Sequence, residues 1–218
     1  EFVMLPAFAM LIGMSFGLPL WASFIVAVVL SILVLGAAFK KWIVDPMRGT
    51  GVVAVVVATL GLSIGLKSFV KAAYSAEPHP FPSIFSDEVF KLAGVTISYS
   101  DVGALVFAGL MVLGLQTFLN KTITGRAMQA VAQNTFSAEA LGINVKRMIF
   151  YTFAINAILV AVTALLITPT YLAKFDMGDN IGLKAFFAAI IGGFNNSRGA
   201  LLGGVLVGVL ENLAGAYL

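Results

Sequence analysis

Apolar runs of bilayer-crossing length, closed at their ends by lysines and arginines, limit this chain more than any other feature. A spanning helix needs about 20 mostly apolar residues. Residues 20–39, 99–119, 148–168 and 199–218 meet that requirement. Residues 2–16 and 51–66 are somewhat shorter runs, the first with Pro6 inside it. Residues 181–194 are apolar but short for a comfortable crossing. Soluble domains carry about 25% charged residues; here the figure is 11%, against 60% hydrophobic, which is too much apolar surface for a soluble fold of 218 residues to hide. The expectation is an all-α polytopic bundle in one domain, 1–218, with about six spanning helices and one broken or re-entrant segment.

The polar breaks set the topology. Gly17, Leu18 and Pro19 read as a tight turn. Lys40 and Lys41 close the second run beside Trp42, an aromatic suited to the membrane interface. Asp45, Pro46, Met47, Arg48 and Gly49 form a short loop, and the third run ends near Lys67. Residues 71–98 hold Pro78, Pro80 and Pro82 within a few positions, which rules out a continuous helix there. Alternation over residues 89–98 allows a short hairpin. Residues 120–147 are basic, with Lys121, Arg126, Lys146 and Arg147 against one acid, Glu139. Pro169 is expected to end the fifth long run, and residues 170–180 to form a loop. Positive residues favour the cytoplasmic side. The Lys40–Arg48 region and residues 120–147 are separated by two crossings, so both fall on that side. The Pro-rich segment 71–98 and residues 170–180 then face outward.

Several chemistries are excluded. With no cysteine there is no disulfide, thiolate nucleophile or cysteine-ligated metal, and with His79 alone there is no multi-histidine site. No basic stripe with interleaved aromatics points to nucleic acid. Gly61, Gly65, Lys67 and Ser68 approach a phosphate-binding loop, but Leu66 stands where its second glycine belongs and the segment is apolar. No signal peptide is expected, because no basic stretch and cleavage site are visible ahead of the first run.

Residues 120–147 carry the most informative pattern. Thr124 is placed to cap a helix starting at Gly125. Asn134 is placed to cap a second one ending near Leu141, with Gly142 as its C-terminal cap. A helix of about two turns is unstable alone in water, so it must pack against something. Phe136 and Leu141, among the small residues Ala138 and Ala140, suit a groove on a partner. The plainer reading is a connecting loop on the lipid surface.

Glycines recur four residues apart at Gly13/Gly17, Gly61/Gly65, Gly199/Gly203 and Gly204/Gly208, a spacing that lets helices approach closely in lipid. Gly192 and Gly193 fall where an apolar run breaks, before Asn195, Asn196, Ser197 and Arg198. A broken helix at membrane depth lines a cavity or is buried in protein. Ionisable groups within spans also draw attention. Glu211, beside Asn212, serves a pathway, a hydrogen bond between helices or a second subunit. Lys184 serves a pathway or snorkels to the interface. Asp101 suits a helix N-terminus. Asn156 reads as a polar link between helices, and His79 as a solvated loop residue.

The run Gly125-Arg126-Ala127-Met128-Gln129-Ala130-Val131-Ala132-Gln133-Asn134, followed by Glu139-Ala140-Leu141-Gly142-Ile143-Asn144-Val145, resembles the cytoplasmic loop of branched-chain amino acid ABC permeases. Lys184-Ala185-Phe186-Phe187-Ala188-Ala189-Ile190-Ile191-Gly192-Gly193-Phe194 and Arg198-Gly199-Ala200-Leu201-Leu202-Gly203-Gly204 are similar to the same family. Pro6 departs from it, standing where a small residue is more usual. The resemblance implies a translocation subunit without catalysis or cofactor of its own, in a bacterial inner membrane. It implies as partners a second permease, two cytoplasmic ATPases that use ATP, and a periplasmic or lipid-anchored substrate-binding protein. Gly125, Arg126, Gln133, Asn134, Ala138, Glu139, Ala140, Gly142 and Ile143 would form the ATPase-coupling loop. Lys184, Phe186, Gly192, Gly193, Arg198, Gly199, Glu211 and Asn212 would form a pathway or gate. It also implies further helices beyond both ends of the chain. Permeases for urea or sugars share the superfamily and remain an alternative. An ion-coupled carrier or channel is another, and would call for paired acids within the spans.

Overall fold

The computed structural model describes residues 2–44, 46, 52–74, 77–84, 89–92, 95–193 and 196–217. The expected loop residues Asp45, Met47, Arg48 and Gly49, the acids Asp87 and Glu88, and Phe194 and Asn195 lie outside them. The chain folds as helices with one small hairpin. In order these are α1 (Met4–Ser15), α2 (Leu20–Ser31) with a π-helical continuation (Ile32–Val44), α3 (Val52–Ala73), β1 (Val89–Leu92) and β2 (Val95–Ser98). There follow α4 (Tyr99–Lys121), α5 (Ile123–Gln133), α6 (Thr135–Ala140), α7 (Val145–Tyr171), α8 (Met177–Gly192) and α9 (Ser197–Tyr217).

Among the described residues, four helices are long and apolar enough to cross a membrane: Leu20–Trp42, Tyr99–Lys121, Val145–Tyr171 and Arg198–Tyr217. Their apolar side chains stay largely outward, as lipid permits and water does not. α3, at 22 residues, has the length of a further crossing. α1 and α8, at 12 and 16 residues, rise about 18 and 24 Å at 1.5 Å per residue.

Local chemistry sets the ends. Ser98 caps α4 by accepting from Ser100 N at 3.2 Å, and Asn144 caps α7 by accepting from Arg147 N at 3.0 Å. Asp101 lies in the first turn of α4, where the dipole favours an acid. After α1, Gly17 takes φ +83°, Gly17 N donates to Met14 O at 2.9 Å and Leu18 N to Gly13 O at 3.2 Å. This paired reversal, a Schellman cap, makes the expected turn. The hairpin expected over residues 89–98 is present, antiparallel, with Val89 opposite Ser98.

Three boundaries differ from the sequence reading. α3 does not stop near Lys67 but continues to Ala73, with Val70 packed into the core and Lys67 paired with Asp179 at the start of α8. Pro169 does not end α7, which runs on to Tyr171. In the last turn a proline removes one helical hydrogen bond, and the chain leaves the helix three residues later at Leu172, with φ +62°. α8 begins at Met177, so the loop before it is shorter than 170–180.

α1 and α2 pack as an antiparallel pair against α7. Met4, Ala7, Phe8, Met10, Ala27, Ala164 and Leu165 form their core with Val70, Phe81 and Met177. Gly13 makes the contact close: a Cβ there would sit 2.8 Å from Ser23 Oγ. Of the other four-residue glycine pairs, Gly61 and Gly65 face open space and make no such contact. Their segment is part of α3, so no loop is present there to cradle a phosphate. His79 is not a free loop residue. Its backbone pairs with Ala173 in both directions, at 3.0 and 2.9 Å, and its ring meets Tyr74 edge-on at 5.0 Å. The Pro-rich segment is thereby tied to the α7–α8 connection.

Candidate functional site

The expected site residues fall in two places. The first is the corner formed by α4, α5, α6 and the start of α7. Thr122, not Thr124, caps α5: its Oγ1 accepts from Gly125 N at 2.9 Å and donates to Phe118 O at 2.7 Å. One hydroxyl thus satisfies a free amide of α5 and adds a second bond to the Phe118 carbonyl of α4, which also accepts from Thr122 N at 3.1 Å; Thr124, inside the helix, cannot take that position. Gly125 is buried at this corner, and a Cβ on it would overlap the backbone of Phe118 and Leu119. Asn134 caps α6 as expected, accepting from Ser137 N at 2.9 Å. Gly142 ends it with φ +80°; Gly142 N donates to Glu139 O at 2.9 Å and Ile143 N to Ala138 O at 3.1 Å.

This two-turn helix is held from beneath. Ala138, only 2% exposed, packs with Met128, Val131, Val145 and Met148, and Ile143 joins the cluster. Ala138 and Gly125 are therefore buried toward the bundle, and Ile143 is half-buried against it. The outer face carries Arg126, Gln133, Glu139, Ala140 and Gly142, all exposed, with Phe136 and Leu141 83% and 81% exposed. Two large apolar side chains thus stand outward on a capped, anchored helix.

The second place is the α8–α9 hairpin. The expected broken segment is two antiparallel helices joined at Gly193, which takes φ +85°. Asn196 Oδ1 accepts from Arg198 N and Gly199 N, each at 3.2 Å, and starts α9. Gly192 and Gly199 meet backbone to backbone, and Gly203 lies on the Ala188 carbonyl, so a Cβ at any of the three would overlap main chain. These glycines close a helix pair. Arg198 Nε donates to Gln116 Oε1 at 2.6 Å. Asn196 lines a cavity of about 530 Å³ with Gln116, Asn120, Gln129 and Gln133. The hairpin turn therefore sits at the α4–α5 corner, beside the first site.

At the other end of the hairpin, α7, α8 and α9 enclose a groove of about 1130 Å³. Lys184 and Glu211 meet across it, Nζ to Oε1, at 2.7 Å. Lys184 Nζ also lies 5.6 Å from the centre of the Tyr171 ring. Asn212 lines the same groove, its Nδ2 donating back to Gly208 O at 2.9 Å. Thr163, Lys174, Asp176 and Asn180 add polar lining, and Ile167, Ile181 and Val207 apolar lining. Of the expected pathway residues, Lys184, Glu211 and Asn212 thus come together. Gly192, Gly193, Arg198 and Gly199 sit at the opposite end of the hairpin, because α8 runs two turns between Lys184 and Gly192. Phe186 lies on the outside of α8, 54% exposed, and does not line the groove. The polar lining from α7 and from the α7–α8 connection carries no signal in the sequence, since its residues are scattered until the helices assemble.

Long apolar helices, a capped helical corner at one end and a charged groove toward the other define a multi-pass membrane protein. The whole chain, residues 1–218, matches the family described as branched-chain amino acid transport system / permease component. The chain belongs to that family. It is 33% identical over 181 residues to the high-affinity branched-chain amino acid transport system permease protein BraD of Pseudomonas aeruginosa, covering 81% of this chain and 59% of that protein. It is 30% identical over 223 residues to the corresponding protein LivH of Escherichia coli K12, covering 99% and 71%. With LivH of Salmonella typhimurium it shares 32% over 191 residues, covering 84% and 61%. The chain therefore spans between 59% and 71% of the length of these relatives. No solved structure matches it at comparable significance.

Proposed function

We propose that this chain forms the body of a permease subunit of a bacterial ABC importer. It would carry branched-chain or related amino acids inward across the inner membrane. The reading rests on the family and on one observation above all: a two-turn helix, α6, capped at both ends and anchored from beneath, with Phe136 and Leu141 fully presented. A surface of that kind suits a pocket on a cytoplasmic ATPase, which would drive the bundle by holding two conformations unequally. Arg126, Gln133, Asn134, Glu139, Ala140 and Gly142 would make or shape the contact, while Gly125, Ala138 and Ile143 would hold it rigid. Lys121, Arg126, Lys146 and Arg147 at this end favour a cytoplasmic location. The subunit itself would hydrolyse nothing and bind no cofactor. It would work with a second permease, two ATPases and a periplasmic or lipid-anchored binding protein. The α7–α8–α9 groove, with Lys184, Glu211 and Asn212, would form part of the path. The Gly192, Gly193, Arg198 and Gly199 turn would link that path to the driven corner.

The test is co-expression with candidate partners, reconstitution into liposomes and measurement of radiolabelled leucine uptake. Uptake that needs the ATPases and ATP is expected. Uptake without any ATPase contradicts the reading and favours an ion-coupled carrier. ATP-driven transport that ignores leucine moves the chain to a sibling permease for another solute, such as urea or a sugar.

A further inference from the structure

The segment Pro78-His79-Pro80-Phe81-Pro82-Ser83 alternates strictly between proline and another residue. An extended chain turns successive side chains to opposite faces. The structure uses that period: Pro78, Pro80 and Pro82 are exposed, while His79 and Ser83 are half-buried and Phe81 is only 7% exposed. Each inward residue makes a different tie. The His79 main chain pairs with Ala173 through two hydrogen bonds, and its ring meets Tyr74 just beyond α3. Its Nε2 is buried without a hydrogen-bond partner, so the tie to Ala173 runs through the backbone and not the imidazole. Phe81 belongs to the core shared by Phe8 of α1, Leu165 of α7 and Met177 of α8. Ser83 Oγ lies 3.1 Å from Ser100 Oγ in the first turn of α4. Prolines fix φ near −65° and have no N–H to satisfy, so this strap is stiff without leaving donors bare.

The α7–α8 connection, to which the strap is tied, carries backbone strain. Leu172 holds φ +62° and ψ 156°. A residue with a Cβ stays there only where its surroundings fix it. Next to it, Ala173 is fully buried and bonded to His79 in both directions. Beyond Ala173, Lys71 of α3 lies 5.5 Å from the centre of the Phe175 ring. Lys174 and Asp176 of the same connection line the groove between α7, α8 and α9. All these ties lie at the end of the bundle away from the α5–α6 corner, since α4 and α7 each run their full length between the two.

We propose that residues 77–84 are a brace across this end of the bundle, joining the start of α4 to α1, α7 and α8. Within it, His79 is a positioning residue: its bridge to Ala173 sets where Lys174 and Asp176 stand against the groove. Lifting the strap would uncover Phe81 and leave the buried N–H and C=O of Ala173 without partners. The brace therefore stays in place while the opposite end moves. That the opposite end is driven rests on the permease reading above.

The test uses the assembled transporter in liposomes. The chain has no cysteine, so S83C/S100C supplies a single pair, whose disulfide yield is read by non-reducing peptide mass spectrometry. The brace predicts equal yields at rest, with ATP and vanadate, and during turnover. It also predicts ATP-driven leucine uptake by the oxidised form within about twofold of the reduced form. A disulfide absent at rest, a yield that falls in either other state, or an oxidised form that stops transporting overturns the brace and makes the strap a lid. A second arm reads the positioning role through K174C, labelled with a membrane-permeant maleimide. Adding His79→Pro removes the N–H that Ala173 O accepts, and should speed labelling about fivefold, the shift expected from one net hydrogen bond. Adding His79→Ala keeps that N–H and should label within about twofold of K174C alone. Equal rates in the two variants overturn the positioning role. The resting disulfide and the labelling rates need neither solute nor ATP, so they are distinct from failure of the permease reading, which would show as uptake without ATP.

Discussion

Arg198 donates through Nε to Oε1 of Gln116 at 2.6 Å, joining the α8–α9 turn to the last turns of α4. Gln116 lies just before the corner at which Thr122 folds α5 back against α4. The α4–α5 corner and the hairpin that carries Lys184 and Glu211 are therefore joined by a side-chain hydrogen bond, which the proposed drive from α6 would use.

Cutting that route should separate transport from folding. Arg198 is exposed and Gln116 half-buried, so Arg198→Ala is expected to cost about 1 kcal/mol in stability. Leucine uptake per ATP hydrolysed should nevertheless fall several-fold. Arg198→Lys should not restore it, because a lysine lacks the Nε that makes the bond. Paired uptake and phosphate-release assays on the reconstituted variants check this.

The glycine pairs make opposite predictions despite equal spacing. Gly203→Val places side-chain atoms on the Ala188 carbonyl and should destabilise the hairpin by about 1–3 kcal/mol, as overpacking does. Gly65→Ala faces open space within α3 and should be neutral, or stabilising by up to about 1 kcal/mol through helix propensity. Thermal melting in detergent separates the two.

Thr122 and Thr124 lie two residues apart, and only the first caps α5. Thr122→Ala should cost about 1 kcal/mol, the usual value of such a cap. Thr124→Ala should stay within about 0.5 kcal/mol. Amide exchange at Gly125, whose N–H loses its acceptor in the first variant, gives a site-specific readout.

Gly142 holds φ +80° and donates its N–H to Glu139. Proline fixes φ near −65° and has no N–H, so Gly142→Pro removes both supports. The variant should insert and reach the membrane as the parent does, because the spans are untouched. Its ATP hydrolysis should continue while leucine uptake per ATP drops on the order of tenfold, a change of roughly 1.4 kcal/mol in coupling. Normal coupling would remove α6 from the drive path.

The sequence is most readable where structure is local. Long apolar runs, the Gly17 turn, the 89–98 hairpin, and the Asn134 and Gly142 caps of α6 each depend on neighbours within a few positions. Features decided by assembly are less legible. Thr122 caps α5 in place of Thr124 because α4 ends at Lys121 and α5 starts at Ile123, a boundary that the local sequence does not mark. Lys67 lies inside α3, and its partner, Asp179, lies more than a hundred residues along the chain. Ala138 looks like part of a docking surface until the start of α7 packs beneath it. Lys184 and Glu211, each suspicious alone, gain their meaning only when α8 and α9 fold back on each other.

The most direct test of the whole account is the side and the neighbour of Phe136. The chain has no cysteine, so Phe136→Cys introduces a single label site on an outward-facing position of α6. A membrane-impermeant maleimide should label it in inside-out vesicles, should fail to label it in right-side-out vesicles, and should be blocked when the ATPase subunits are bound. Labelling from the external face, or labelling that the ATPases leave unchanged, would contradict the account.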